Sequence, residues 1–330
     1  MNQAWRADYR PEHLLQVCSL WDLETEPIPG LFREGECFLF RGRHGRVSVA
    51  IRLTHPGHRS LEALDSELRW MQRVGAQGVD VPKTQLSRAN RRVEAVQADG
   101  KTWHASVLEW VAGEGIRPGH PLWTPDRLEH WGAQLGRMQR LAREEANDPA
   151  RYPRHRWNDP EHLHIGPDFW RRFPADQDAA QALVHAIEAL GENDATFGLA
   201  HGDLFGENVL ATEDSFYCID FDDLCYRHFV YDLIIPAYCA LVFETSPLEA
   251  AAEAFALPFF RGYRREGPLE PANLDHVGLF LRLRDMELKS LLDLWAMPPE
   301  NAWVAMTHRH VDQGNPLCEL PWRDWFEAAR

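Results

Sequence analysis

The chain of 330 residues is 45% hydrophobic and 26% charged, ordinary globular values that exclude disorder and fibrous repeats and predict one large domain or two intimate lobes. Its net charge of −15 divides unevenly: 15 basic and 14 acidic residues up to Val111 leave +1, and 20 basic and 36 acidic from Ala112 onward leave −16, so no basic face is offered to nucleic acid. Six scattered cysteines without a C-x-x-C pair read as reduced thiols, Met1 to Val17 lacks a basic flank before an apolar stretch, and the apolar run Leu233 to Phe243 is short and broken by Pro236, which predicts a cytoplasmic protein with no membrane partner.

In chain order, the first third reads strand, strand, helix, strand, strand. Glu36 to Phe40 and Arg46 to Leu53 are rich in β-formers and are joined by the glycine-bearing Gly42 to Gly45, a hairpin signal. In the second of these strands Val47, Val49 and Ile51 share one face, and Ser48, Ala50 and Arg52 the other. Ser60 to Val74 is a helix with Ser60 as N-cap and Leu61, Leu64, Leu68 and Met71 at helical spacing. Strands follow around Arg91 to Gln97 and Trp103 to Trp110, and the glycines of Val111 to Gly115 make a hinge.

From there the pattern is mainly helical. Thr124-Pro125-Asp126 starts a long helix whose buried stripe is Leu128, Trp131, Leu135, Met138 and Leu141. Arg151 to Phe173, rich in Pro, His, Arg and Trp, is an irregular insertion, and helices resume at Ala179 to Leu190 and Asn273 to Trp295. His162-x-His164 and His308-x-His310 lack a third ligand and read as surface histidines rather than zinc sites. Tryptophans 157, 170, 295 and 303 are divided between core and acceptor-pocket readings.

Chemistry concentrates in Leu199-Ala-His201-Gly-Asp203-Leu-Phe-Gly-Glu-Asn208, with Asp220 of Ile219-Asp-Phe-Asp-Asp223 following twelve residues after Asn208. Two short strands, Val209 to Ala211 and Phe216 to Ile219, about a polar turn would set Asn208 and Asp220 side by side. Phosphoryl transfer needs a hard cation on oxygen ligands and a carboxylate that takes or orients the acceptor's hydroxyl proton. Asp203 precedes Asn208 by five residues, the separation that kinase catalytic loops use between base and metal-binding Asn.

The H-G-D-L-x-x-x-N loop with I-D-F-D after it resembles the aminoglycoside phosphotransferase and choline kinase superfamily. Arg52-Leu through Ser66-Glu67-Leu68, Leu108 to Glu114, Leu135-Gly-Arg-Met138 and Tyr231-Asp232-Leu233 are similar, in the same order, to a bacterial branch holding stress-response serine/threonine kinases and a form of homoserine kinase. The resemblance covers roughly residues 30 to 295. It implies an α+β, protein-kinase-like two-lobed fold, with a small antiparallel β N-lobe (1–110) and a larger, mainly helical C-lobe (111–330), holding ATP and Mg²⁺. It further implies Asp203 as catalytic base, Asn208 and Asp220 as metal ligands, Asp222 as an acid that contacts the metal or supports its ligands, Asp232 as a brace of the catalytic loop and His201 as its support. Leu31 to Glu36, with Gly35, matches the flap over the phosphates, and Glu109 to Val111 the hinge that binds adenine through its backbone.

Two departures stand out. Most relatives place a lysine where this chain has Arg52, which shares a strand face with Ala50 toward the nucleotide and is matched with Glu67; guanidinium suits both partners but with fork geometry. The flap segment Arg33-Glu-Gly-Glu36 carries two acids, expected to point outward. The leading reading is transfer of the γ-phosphate to a hydroxyl of a small acceptor, cationic because the C-lobe is acidic. A protein serine/threonine acceptor is the alternative, and a nucleotide-binding pseudokinase the reading from another class.

Overall fold

The computed structural model describes residues 3–25, 29–146, 148–244 and 247–330. They form two compact units, one of Met1–Gly113 with Ala150–Pro153 and Tyr217–Asp222, the other of Glu114–Pro149, Arg154–Phe216 and Asp223–Arg330. The architecture is α+β and two-lobed, as expected.

The first unit runs α1 (Gln3–Asp8), α2 (Pro11–Trp21), β1 (Gly30–Glu34), β2 (Phe38–His44), β3 (Val47–Thr54), α3 (Leu61–Gly75), β4 (Thr84–Gln85), β5 (Val93–Ala98) and β6 (Lys101–Glu109). Strands β1, β2, β3 and β6 pair in that order, and β4 and β5 both add to β6, every pairing antiparallel. The hairpin turn between β2 and β3 is narrower than the glycine spacing predicts. His44 pairs with Val47, so only Gly45, at φ +60°, and Arg46 turn the chain. Gly42 lies inside β2 opposite Val49, where a Cβ would come within 2.8 Å of the Ile51 side chain. Helix α3 starts as predicted, with the Ser60 hydroxyl accepting the Ala63 amide.

The pleat of β3 sends Val49, Ile51 and Leu53 into a core closed by Leu14, Val17, Cys18 and Trp21 of α2. That spacing is helical, with Pro11 at the first turn, yet α1 and α2 were not among the predicted elements. Tyr152 sets its ring edge-on to Trp70, 5.4 Å between centroids, which ties part of the irregular insertion to this unit.

The second unit holds β7 (Glu114–Gly115), α4 (Pro125–Leu141), α5 (Pro167–Arg172), α6 (Gln177–Glu188), β8 (Phe197–Ala200) and β9 (Val209–Ala211). After β10 (Phe216–Cys218), where the chain passes into the first unit, it continues with β11 (Cys225–His228), α7 (Phe229–Leu241), α8 (Leu248–Glu266), α9 (Val277–Leu294), α10 (Ala302–Gln313) and α11 (Trp322–Ala328). The predicted stripe of α4 is buried throughout. Helices α4 and α8 cross backbone to backbone, because any side chain at Gly132 would overlap the Phe259 carbonyl and any at Gly262 the Glu129 carbonyl. The single helix predicted from Asn273 divides into a 3₁₀ turn, Pro271–His276, and α9. Beyond its apolar stripe α9 also buries Arg284, Asp285, Glu287 and Lys289. Strands β8 and β11 pair antiparallel from Ala200–Cys225 to Phe197–His228, so the residues after β8 and before β11 emerge at one end of this ribbon. No helix among the described residues is long and apolar enough to cross a membrane.

Candidate active site

In the first unit, alternation along β3 puts Arg52 and Ala50 opposite the core face, and α3 carries Glu67 to it. Arg52 Nη1 donates to Glu67 Oε1 at 2.7 Å, with the side chains 11% and 1% exposed. Burial opposes the guanidinium charge, but the Glu67 charge and hydrogen bond outweigh it and raise the Arg52 pKa above its ordinary value. Nε and Nη2 of Arg52 and Oε2 of Glu67 are buried without a partner. Two orphaned donors on a buried cation are costly alone and suit an anionic ligand such as a phosphate.

Asp222 is the second charged centre of this unit. His58 Nε2 lies 2.8 Å from its Oδ2 and Arg59 Nη2 3.0 Å from the same atom. Burial pushes the Asp222 carboxyl up, yet the hydrogen bond from His58 and the charges of Arg59, His58 and Arg52 hold it well below the usual carboxylate range. The resemblance implied a role at the metal, and here a histidine and an arginine side chain engage this carboxylate. Both flap acids are exposed, as expected, with Glu36 3.7 Å from His58 in the loop after β3 and Glu34 paired with Arg6 at 3.1 Å. Among the described residues, Glu36, His58 and Asp222 are the one group of three acid, histidine or cysteine side chains close enough to share an ion. Asp220 is exposed and sits at φ +61°, a left-handed backbone unusual for a side-chain-bearing residue, anchored by the fully buried Phe221. Around Gly35 a Cβ would meet nothing within 4 Å, so packing does not demand glycine there. Glu109 closes β6 with its amide on the Lys83 carbonyl at 2.8 Å, and Val111 follows as irregular chain.

The second unit builds the loop after β8. Asp232, in the first turn of α7, accepts the His201 amide at 2.6 Å and the Gly202 amide at 2.9 Å. Burial nonetheless leaves its carboxyl above the ordinary pKa. Gly202 stands at φ +88°, and a Cβ there would overlap the Asp223 carbonyl. Its neighbour's imidazole, His201 Nδ1, accepts the Asp203 amide at 3.4 Å.

Both oxygens of Asp203 are held. Arg284 Nη2 donates to Oδ1 at 2.6 Å, and Asn208 Nδ2 donates to Oδ2 at 3.2 Å and to the Asp203 carbonyl at 2.9 Å. Burial, aided by the Asp223 and Glu287 charges and opposed by Arg284, pushes the Asp203 carboxyl up to about 7, where a general base is matched to neutral pH. With its amide nitrogen committed inward, Asn208 is left with Oδ1, the oxygen type a hard divalent cation takes. The donor chemistry of Asn208 fits such an ion, and in the first unit that of the Asp220 carboxylate does too.

Beside Asp203 a cavity of this unit is lined by Trp157, His162, Asp223, Tyr231, Arg284 and Glu287. The sequence reading missed Arg227, Tyr231, Arg284 and Glu287, as it did His58 and Arg59 in the other unit. Charged residues interrupting the apolar stripe of α9 are the signal that could have flagged Arg284 and Glu287. Of the two histidine pairs, His162 stacks on His155 at 4.0 Å and His310 Nδ1 bonds the buried Asp285 at 2.9 Å.

Residues 34–269 match the model described as the phosphotransferase enzyme family APH. Amicoumacin kinase of Bacillus subtilis (strain 168) is 28% identical over 299 residues, 86% of this chain and 87% of that protein. The structure of the amicoumacin kinase hAmiN in complex with AMP-PNP, Ca²⁺ and Ami is similar with a TM-score of 0.86 at 23% identity, covering 98% of this chain and 99% of that one. A microcompartment-associated aminopropanol kinase follows with a TM-score of 0.72 at 21% identity over 91% and 97% of the two chains. The two structural likenesses establish the fold. The family match runs from the end of β1 through the Asp203 loop, Asp220 and Asp232, and on that extent the chain belongs to the APH phosphotransferase enzyme family.

Proposed function

We propose that this phosphotransferase moves the γ-phosphate of ATP, with Mg²⁺, to a hydroxyl of a small acceptor that carries an amine. The observation that carries the reading is Asp203, a carboxylate with a pKa of about 7 held at both oxygens and lining up with Asn208 on one loop. In the transfer the acceptor oxygen bonds the γ-phosphorus, the bond from that phosphorus to the ADP oxygen breaks, and the hydroxyl proton passes toward Asp203.

The remaining residues position or neutralise. Arg52 offers its two unpaired donors to phosphate oxygens, and Glu67 keeps it charged and in place. The open surroundings of Gly35 suit close approach of phosphate to backbone, and the backbone of Glu109 to Val111 suits adenine. Asn208 Oδ1 in the second unit and the Asp220 carboxylate in the first each offer an oxygen suited to Mg²⁺, which when bound would neutralise phosphate charge. Asp222 orders His58 and Arg59, while Asp232 and His201 hold the catalytic loop.

A small acceptor is supported by relatives named for amicoumacin and aminopropanol. An amine is supported by the −16 balance after Val111. Six free cysteines favour a reducing, cytoplasmic setting.

The test is γ-labelled ATP with magnesium and a panel of amino alcohols, aminoglycosides, neutral polyols and basic proteins. Transfer to amine-bearing small molecules is expected, with an apparent KM that rises with salt as the attraction is screened. Asp203→Asn is expected to keep nucleotide binding and lose about two orders of magnitude in turnover. Transfer only to neutral or protein acceptors would overturn the acceptor class, and full turnover in Asp203→Asn the assignment of the base.

A further inference from the structure

Asp203 sits on a loop, and a short carboxylate on a loop can swing unless both oxygens are held. Asn208, from the same loop, holds Oδ2. The hold on Oδ1 comes from Arg284, 81 residues further along the chain on α9. Arg284 is itself nine-tenths buried, and its Nη1 reaches the Tyr231 hydroxyl at 3.4 Å. That hydroxyl donates to Glu287 Oε2 at 2.5 Å, and Glu287 Oε1 takes Arg227 Nη2 at 3.4 Å. Arg227 Nη1 then points to the Gly202 carbonyl at 3.5 Å, with its guanidinium 3.2 Å from the Tyr231 ring centroid.

These contacts form a ring that leaves the catalytic loop at Asp203 and returns to it at Gly202. Two guanidinium groups, Arg284 and Arg227, alternate around this ring with the carboxyl groups of Asp203 and Glu287. Arg284 and Glu287 are three residues apart on α9 and therefore share a face. A planar guanidinium can reach Asp203 and Tyr231 at once, which a point-like ammonium on a flexible stem cannot.

We infer that Arg284 is the positioning residue of this enzyme's base: held by the Tyr231, Glu287 and Arg227 ring, it aims the Asp203 carboxylate and affects turnover only through it. The inference rests on Asp203 being the base. It differs from a packing role for Arg284, which would lower stability without a specific dependence on Asp203.

The experiment measures magnesium-dependent ATP hydrolysis, with water in the acceptor's place, and transfer to any panel acceptor that is phosphorylated. Arg284→Gln and Arg284→Lys are made alone and with Asp203→Asn, and a thermal melt accompanies each. Arg284→Gln is expected to lower kcat by about 30- to 100-fold with the KM for ATP within about threefold, and Arg284→Lys to fall between it and the parent. Millimolar guanidinium should restore part of the lost kcat in Arg284→Gln. In the Asp203→Asn background the same change should cost no more than about twofold, because the group it acts through is gone.

Losses that multiply in the double variant, or a kcat within threefold of the parent in Arg284→Gln, overturn the inference. Parental turnover in Asp203→Asn alone overturns the base assignment instead. Should Arg284→Gln not fold, Arg284→Lys decides by the same cycle. A parent protein with neither hydrolysis nor transfer removes both readings.

Discussion

Arg52 and Glu67, 15 residues apart in sequence, meet at 2.7 Å as a nearly dry ion pair in which only one of the three guanidinium nitrogens is used. Removing one partner of a buried pair leaves an uncompensated charge, which typically costs about 3–5 kcal/mol. Arg52→Ala is therefore expected to lower the denaturant midpoint and to abolish measurable nucleotide affinity. Arg52→Lys keeps the charge for Glu67 and leaves fewer buried donors unpaired, so fold and turnover should be preserved or improved. Calorimetric titration with ATP and a urea melt on both variants check this, and normal ATP affinity in Arg52→Ala would place the residue outside the site.

Asp232 accepts two consecutive amides, His201 and Gly202, immediately before the proposed base. Asp232→Asn exchanges one acceptor oxygen for a donor that faces an N–H, leaving a buried amide unpaired at a cost of about 1–3 kcal/mol. Hydrogen exchange at His201 and Gly202 should accelerate while exchange in α4 stays unchanged, and kcat should fall more than the affinity for ATP. Protection at these two amides equal to that of the parent would count against the brace.

Asp220, exposed and in a left-handed backbone conformation, is proposed to hold the metal ion through its carboxylate. Asp220→Asn keeps the shape and removes the charge. The gain in nucleotide affinity that magnesium confers is expected to shrink about tenfold or more, whereas metal-free nucleotide binding should hardly change. Titrations with and without magnesium separate the two, and an unaltered metal dependence would move the ion elsewhere.

His228 supplies a pH dependence of stability. Burial first, then the neighbouring charges of Arg227 and His276, lower its pKa from 6.5 to about 4. The fold thus needs it neutral, while the unfolded chain takes up the proton near pH 6.5. Its contribution is complete above pH 6.5 and is lost as pH falls from there through about 4, by up to roughly 3 kcal/mol. His104, also lowered mainly by burial, acts in the same direction. Urea midpoints at pH 7.5 and 5 should differ accordingly, and His228→Gln should flatten the slope. An equal slope in parent and variant would assign the dependence to other groups.

Short-range spacing was enough to single out the proposed catalytic loop, because Asp203, His201 and Asn208 lie on one continuous segment whose geometry is set by local turns. Periodicity likewise placed α3, α4 and the faces of β3, since alternation and the helical repeat are properties of the chain itself. The pairing of Arg52 with Glu67 came from resemblance and was met in the structure. What spacing could not supply were partners brought in from distant elements. Arg284, Glu287 and Arg227 look like ordinary surface charges in sequence, and only the packing of α9 and β11 around the loop after β8 desolvates them and makes each one answer another. His58 and Arg59 gave no signal because their partner, Asp222, lies 164 and 163 residues away. The N-terminal helix α2 was legible in its Leu14, Val17, Cys18 and Trp21 repeat, yet only the apolar face of the sheet gives that repeat something to cover. Sequence periodicity records which side of an element avoids water; which charges share a low-dielectric interior is decided by tertiary packing alone.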